Sequence, residues 1–265
     1  MRNPLLKYLL LLCITIQGVE AQELAVGKDF QLAPPILHID STFFNKNAHL
    51  EMKFEFSGAT IRYTLDGSKV GLDSPKYTKP IVLRKSCIVK ARSFHPEYRA
   101  SETRELQIVQ QKSDFSKTEI RVSPQPSSNY AARGTLSLKD SQKGSLDFRS
   151  GNHWVGLQSK SIAFTLHFSS ATKISQITLS TLIDQENWIF SPKAVTVFSE
   201  AKRIGQLELP KAREIQKKQF QFISIPLVSQ TYKNLQIVVH SLADIPDWHP
   251  GSGIPWFFID EILVE

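Results

Sequence analysis

Cysteine is scarce in this 265-residue chain, with Cys13 and Cys87 as its whole supply. Long apolar runs are missing too. The longest, residues 8–16, is far below the roughly 20 apolar residues that cross a bilayer. Helical periodicity is hard to find, which excludes a coiled coil or a large helical domain. Hydrophobic residues make up 41%, charged residues 22% and aromatics 10%. That ordinary balance excludes a disordered or collagen-like chain and leaves enough apolar side chain for two modest cores.

The one apolar run has a reading of its own. Arg2 and Lys7 precede it, and Val19-Glu20-Ala21 follows with small residues placed for cleavage. This is the layout of a secretory signal over residues 1–21, cut near Ala21, so the mature protein is expected to be secreted or periplasmic. Lipid modification of Cys13 is the rival reading, and Leu12 stands where such a site wants a small residue. Loss of Arg2, Lys7 and Glu20 takes the formal charge from +7 to +6. Loss of Cys13 leaves Cys87 alone, so no internal disulfide is expected and core packing must supply stability.

The basic surplus is densest at residues 202–218, with Lys202, Arg203, Lys211, Arg213, Lys217 and Lys218 interrupted by Glu208 and Glu214. No aromatic residue is interleaved, as nucleic-acid platforms require, so a solvated face and no nucleic-acid partner are expected.

What the chain has in abundance is period-two alternation. Leu50, Met52, Phe54 and Phe56 alternate with Glu51, Lys53, Glu55 and Ser57. Ile61, Tyr63 and Leu65 follow on one face, and Asp66-Gly67 supplies a tight turn. Residues 81–94 read as further strand, broken near Arg84-Lys85, with Cys87, Val89 and Ala91 on one face. Cys87 is therefore read as a small buried hydrophobe. Residues 110–118 are polar and are read as a linker. Beyond them Ile162, Phe164, Leu166 and Phe168 open a second series of short strands separated by Pro, Gly, Ser and Asn, the pattern of a sandwich or jelly roll.

Tyr63-Thr64-Leu65-Asp66-Gly67, Ser74-Pro75 with Tyr77, Pro80-Ile81 and Val89-Lys90-Ala91 resemble the Ig-like domain at the C-terminus of bacterial chitobiases and β-N-acetylhexosaminidases. The resemblance covers residues 30–109 and implies an accessory domain without catalytic residues. Gly144-Ser145 with Asp147, Trp154-Val155-Gly156, Asn187-Trp188-Ile189-Phe190-Ser191-Pro192 and the stretch from Trp256 through Phe257, Phe258, Ile259, Asp260 and Glu261 to Ile262 resemble a galactose-binding-like jelly roll of the coagulation factor 5/8 C-domain type. It is closest to the version in secreted Bacteroidetes hexosaminidases. That resemblance covers residues 119–265. The expected fold class is thus all-β: signal peptide, Ig-like sandwich, galactose-binding-like jelly roll. This sequence departs from the second pattern at Asp140-Ser141, at residues 158–161 and at residues 200–203.

Hexosaminidases of that kind use an adjacent Asp-Glu pair at a strand end in a TIM barrel. Asp260-Glu261 is adjacent, but a barrel takes about 250 residues of its own, and the two β domains fill residues 30–265. Neighbouring residues of a regular strand also point to opposite faces. No G-x-S-x-G, H-E-x-x-H, paired C-x-x-C or phosphate loop occurs, and the seven histidines lack ligand spacing. No enzymatic activity is expected.

In the last strand Trp256, Phe258, Ile262 and Val264 share a face with Asp260, while Phe257, Ile259 and Leu263 share the other with Glu261. Both faces are apolar, so a carboxylate there must be paired or bind a cation. The resemblance implies a structural calcium held by Asp140 and Glu261; an Arg such as Arg133 or Arg149 is the alternative partner. For sugar binding, an exposed aromatic and forked polar groups are needed. Trp154 and Trp188 are each either core or platform, Trp256 is core, and Trp248, outside any alternating segment, is either a stacking platform or a plug. The expected glycan site combines Asp147, Arg149, His153, Trp154, Trp248 and His249. The reading is a secreted, non-catalytic carbohydrate-binding accessory protein, its glycan of N-acetylhexosamine or galactose type and a glycosidase its partner. A protein-docking β module is the alternative, and a glycoside-processing enzyme a more distant one.

Overall fold

The computed structural model describes residues 30–111 and 115–265. The expected signal peptide and Cys13 lie outside them. Two β assemblies follow one another. The first uses β1 (Ile36–Ile39), β2 (Phe43–Phe44), β3 (Ala48–Lys53), β4 (Thr60–Thr64), β5 (Ile81–Leu83), β6 (Cys87–Phe94) and β7 (Arg104–Gln110). They form a three-stranded sheet, β1-β3-β5, and a four-stranded sheet, β2-β7-β6-β4. Leu50 and Met52 of the one pack with Val89, Ala91 and Ile108 of the other in one core. The alternation sets these faces: Cys87, Val89 and Ala91 point inward together, and burial raises the Cys87 thiol pKa. The break near Arg84-Lys85 falls between β5 and β6 as expected. The alternation of Phe54 and Phe56 outlasts its strand, however. β3 ends at Lys53, the chain turns at Gly58 with φ +75°, and Phe56 instead leans on His95 and Tyr98.

The second assembly is one seven-stranded sheet of β8 (Glu119–Ser123), β9 (Val155–Leu157), β10 (Ser161–Ile183), β11 (Ala194–Ser199), β12 (Lys202–Glu208), β13 (Gln219–His240) and β14 (Phe257–Val264). β10 and β13 pair along their whole length, with register breaks between His167 and Thr172 and between Ile174 and Gln176. The half before the breaks carries β8 and β11, and the half after them carries β14. The ladder therefore folds over at the breaks and supplies both layers of a sandwich. Ile162, Phe164, Leu166 and Val239 from one half meet Ile177, Leu179 and Ile225 from the other in a common core. Helix among the described residues is limited to 3₁₀ turns of three to five residues.

This folding-over decides where function can sit. The ends Ser161/His240 and Ile183/Gln219 lie at the same end of the sandwich, since one hollow is lined by Ile183, Gln219, Lys193 and Leu242 together. The connections 184–193, 209–218 and 241–256 gather there with part of 124–154, whose Lys139 instead reaches back to the Ser116 and Thr118 carbonyls ahead of β8. Glu265 exchanges backbone hydrogen bonds with Gln176 near the fold-over, at the far end.

β14 corrects an expectation. Ser180 pairs with Glu261 and the next residue, Thr181, with Ile259, so Asp260 is the extra residue of a β-bulge. The bulge reverses the alternation partway along the strand. Phe257 and Ile259 share the sandwich core with Ile262 and Val264, and all eight residues of β14 are buried. Asp260 and Glu261 do not point to opposite faces; both turn toward residues 141–144.

Candidate functional site

Asp260 and Glu261 are both fully buried. Asp260 Oδ2 accepts the Lys143 ammonium at 2.6 Å and the Gly144 N–H at 2.7 Å. Lys143 lies over the rings of Phe220, at 3.9 Å, and Trp154, at 4.4 Å. Burial pushes the Asp260 carboxyl up and the Lys143 ammonium down, and their attraction resists both shifts. Glu261 Oε2 accepts the Ser141 N–H at 2.9 Å, while Oε1 is buried without a hydrogen-bond partner. Burial first, then the charges of Asp140 and Asp260, push the Glu261 carboxyl up to about 9. No sugar can reach carboxylates sealed this way.

Asp140 is taken by Arg133 and by the Gln142 N–H. The Arg pairing considered as the alternative thus falls on Asp140, and Lys143 is the partner of Asp260. Among the described residues none forms an ion pair with Glu261, although the Lys143 charge is felt there. The orphaned Glu261 oxygen, with the Asp140 charge felt beside it, fits a hard cation such as calcium. Two carboxylates alone make no cage, and among the described residues no group of three Asp, Glu, His or Cys could hold a metal. Backbone oxygens would have to complete the set.

The expected glycan residues separate into two kinds. Trp154 is 3% exposed, donates its indole N–H to the Ser145 carbonyl at 2.9 Å and stacks on Phe220. It is core, since no face remains for a ligand. His249 is 6% exposed, with Nε2 on the Gln185 carbonyl and Nδ1 on the Gly251 N–H. It is a brace between loops. Trp248 is half-buried, packs beside Phe190 and donates Nε1 to the Ala212 carbonyl at 3.2 Å. Of the two readings of Trp248, this is the plug. His153 is half-buried with its Nδ1 enclosed. Asp147 is exposed but caps its own turn, accepting the Arg149 N–H.

Arg149 stays in play. It is exposed, lies 4.2 Å over the Phe148 ring and donates to the Asn187 side-chain oxygen at 3.0 Å. Asn187 in turn donates to Asp184, which Lys218 pairs at 2.8 Å. Next to Asn187 stands Trp188, 47% exposed. Its backbone is left-handed, with φ +63°, an uncommon state for a bulky residue that often marks a functional turn. The turn is held by hydrogen bonds from Trp188 N–H to Gln185 and from Trp256 N–H to Trp188. Gly251 lets the Trp248 loop come close, because a Cβ there would lie 2.7 Å from the Trp188 indole nitrogen. The two loops named from sequence therefore meet through a third, residues 184–189. Tyr130, Phe148, Arg149, Asn187, Trp188 and Trp256 line a hollow of about 320 Å³. Trp188, Asn187 and Glu186 were missing from the expected site. The sequence signals for them were the Asn187-Trp188 match to the jelly-roll pattern and the reading of Trp188 as core or platform.

Residues 39–105 match the family described as chitobiase/beta-hexosaminidase C-terminal domain. The match falls within the first assembly and inside residues 30–109, where the resemblance to that family was expected. Among solved structures, the C-terminal domain of a chitobiase from Bacteroides fragilis is 16% identical, covering 58% of this chain and 95% of its own, with a TM-score of 0.34. A family 32 carbohydrate-binding module from Streptococcus pneumoniae EndoD is 9% identical, covering 57% of this chain and 97% of its own, with a TM-score of 0.37. A SusE-like protein is 11% identical over 86% of this chain and 95% of its own, with a TM-score of 0.38. The chain matches no curated protein.

Proposed function

We propose that this is a non-catalytic carbohydrate-binding accessory protein acting outside the cytoplasm. The observation that carries the reading is Trp188, an exposed indole fixed at the loop end beside Arg149 and Asn187. An aromatic face suits the C–H face of a pyranose, and guanidinium and amide groups can fork onto neighbouring hydroxyls. Rigid strands below and loops above suit a site that binds without reacting. The ligand would be a neutral glycan of N-acetylhexosamine or galactose type, and the protein would hold it for a partner glycosidase. Export rests on the signal-like residues 1–21.

Binding is expected to be weak, since a shallow hollow buries little area against the entropy of association. The test is glycan retention by the purified protein and by Trp188→Ala. Loss of retention at unchanged melting temperature is expected, and equal retention by both would sink the reading. Chromogenic N-acetylglucosaminides should not be turned over, because Asp260 and Glu261 are sealed.

Asp140 and Glu261 would hold calcium, with backbone oxygens of the loop before Gly144. The ion would supply charge neutralisation to a buried carboxylate that has no ion-pair partner among the described residues. Chelator should then lower the melting temperature and added calcium restore it by mass action, and Glu261→Ala should abolish that response. A melting curve indifferent to excess chelator would leave Glu261 as a buried neutral acid.

A further inference from the structure

A second hollow of about 520 Å³ opens at the same end of the sandwich, on residues the Trp188 site does not use. Its depth comes from Ile183 and Phe190, both almost fully buried, and from Gln185, 2% exposed. Leu209 and Leu242 form apolar walls. The segment after Leu209 is held down by the bond from Trp248 Nε1 to the Ala212 carbonyl and by Gln216 N–H on the Gln185 side chain at 2.7 Å. The plug role of Trp248 thus has a product: it shapes this cavity.

The same segment is the densest basic stretch of the sequence, and the glycan reading leaves it unused. Lys193 and Lys211 line the opening, both exposed, and neither has an ion-pair partner among the described residues. Arg213 and Lys217 flank them against Glu214. The one acid in the lining, Asp244, is engaged by the N–H groups of Ile245 and Gly253. Apolar walls, exposed amides of Gln216 and Gln219 and two unpaired ammonium groups suit a ring with an apolar face, hydroxyls and negative charge.

We propose that this cavity is a second binding site, for an acidic sugar residue bearing a carboxylate or a sulfate. The ring would sit between the apolar walls with its charge between Lys193 and Lys211. A Lys ammonium is a point charge that reads either anion, unlike the planar fork of an arginine. The site is independent of Trp188 and goes beyond the neutral-glycan reading.

The experiment titrates the purified protein with an oligogalacturonate, a chondroitin sulfate oligosaccharide and a neutral chito-oligosaccharide. Four proteins are compared: wild type, Lys193→Gln with Lys211→Gln, Ala243→Trp and Trp188→Ala. At least one acidic oligosaccharide should bind the wild type and weaken about tenfold or more in the double lysine variant, as charge-assisted contacts are lost. Its binding should also weaken with added salt. The neutral sugar should be indifferent to that variant. Ala243→Trp, which fills the mouth from an exposed position, should block the acidic ligand as well. The carboxylated and sulfated arms show which anion is preferred. Trp188→Ala should keep acidic binding whether or not it loses the neutral sugar, so failure of the neutral site leaves this one standing. Acidic binding unchanged in both cavity variants, binding of no acidic sugar, or loss of acidic binding in Trp188→Ala would each overturn the proposal.

Discussion

At the scale of single residues, the four tryptophans do different work although the sequence treats them alike. Trp154→Ala should cost about 3–5 kcal/mol, as for a large buried aromatic, because it removes the floor under Lys143 as well as its own packing. Trp248→Ala should lower the melting temperature clearly, since the half-buried ring braces residue 212 and leans on Phe190. Trp188→Ala should leave the melting temperature where it is. Thermal melts of the three variants check this order. Gly251→Ala is a finer probe: its new Cβ would press on the Trp188 indole, so sugar retention should fall while the fold survives. The loops expected from the sequence meet beside Trp188, while the aromatic chosen there, Trp248, is half-buried in a loop contact. Trp248 lies outside any alternating segment, yet it is covered because residues 209–216 cross over it, a contact between segments 36 residues apart. Pattern along the chain carries no information about such a crossing.

At the scale of elements, the bulge in β14 has the largest consequence. Alternation predicted both faces of this strand to be buried, and they are. It could not show that one extra residue would bring two consecutive carboxylates to one side, because a bulge is set by the partner strand. The result is a buried pair, Lys143 with Asp260, next to an uncompensated Glu261. Lys143→Met should destabilise by about 3–5 kcal/mol, because the partner carboxylate would be left buried and unpaired. Lys143→Met combined with Asp260→Leu should recover part of that loss. Glu261 sets a pH dependence. Its carboxyl stays protonated in the folded, chelator-treated protein up to about 9, while in the unfolded chain it ionises near the ordinary carboxylate value. Between those two values the unfolded chain holds fewer protons, so stability should fall as pH rises and be greatest on the acid side. Melts across this range, with Glu261→Gln as the control that lacks the slope, decide it.

Over the whole molecule, the all-β class was legible because alternation and turn residues speak for local strand and hairpin geometry. The sandwich class was legible too, but not its wiring: that β10 and β13 serve both layers depends on breaks near residues 168–175, which carry no Gly or Pro in β10 and are flanked only by Pro226 in β13. The two assemblies also touch. Phe43 and Val109 of the first pack with Phe222 and Leu263 of the second, with the Phe43 and Phe222 rings edge to face at 6.2 Å. Phe43→Ala should therefore separate the calorimetric unfolding into two transitions or widen an existing separation. A single unchanged transition would mean the contact couples nothing.

The β10–β13 ladder also sets a clock for the backbone. Eighteen residue pairs hold these strands together, and every other strand of the sheet is attached to them directly or through one neighbour. Their amides can meet solvent deuterium only when the entire second assembly opens, apart from those at the register breaks, where a local gap suffices. Amides in residues 184–189 and 209–218 lie outside the strands, held by single bridges and loop hydrogen bonds, and should exchange sooner. A ligand in either hollow would be seen first as slowed exchange in those segments, against a β10–β13 baseline that does not move.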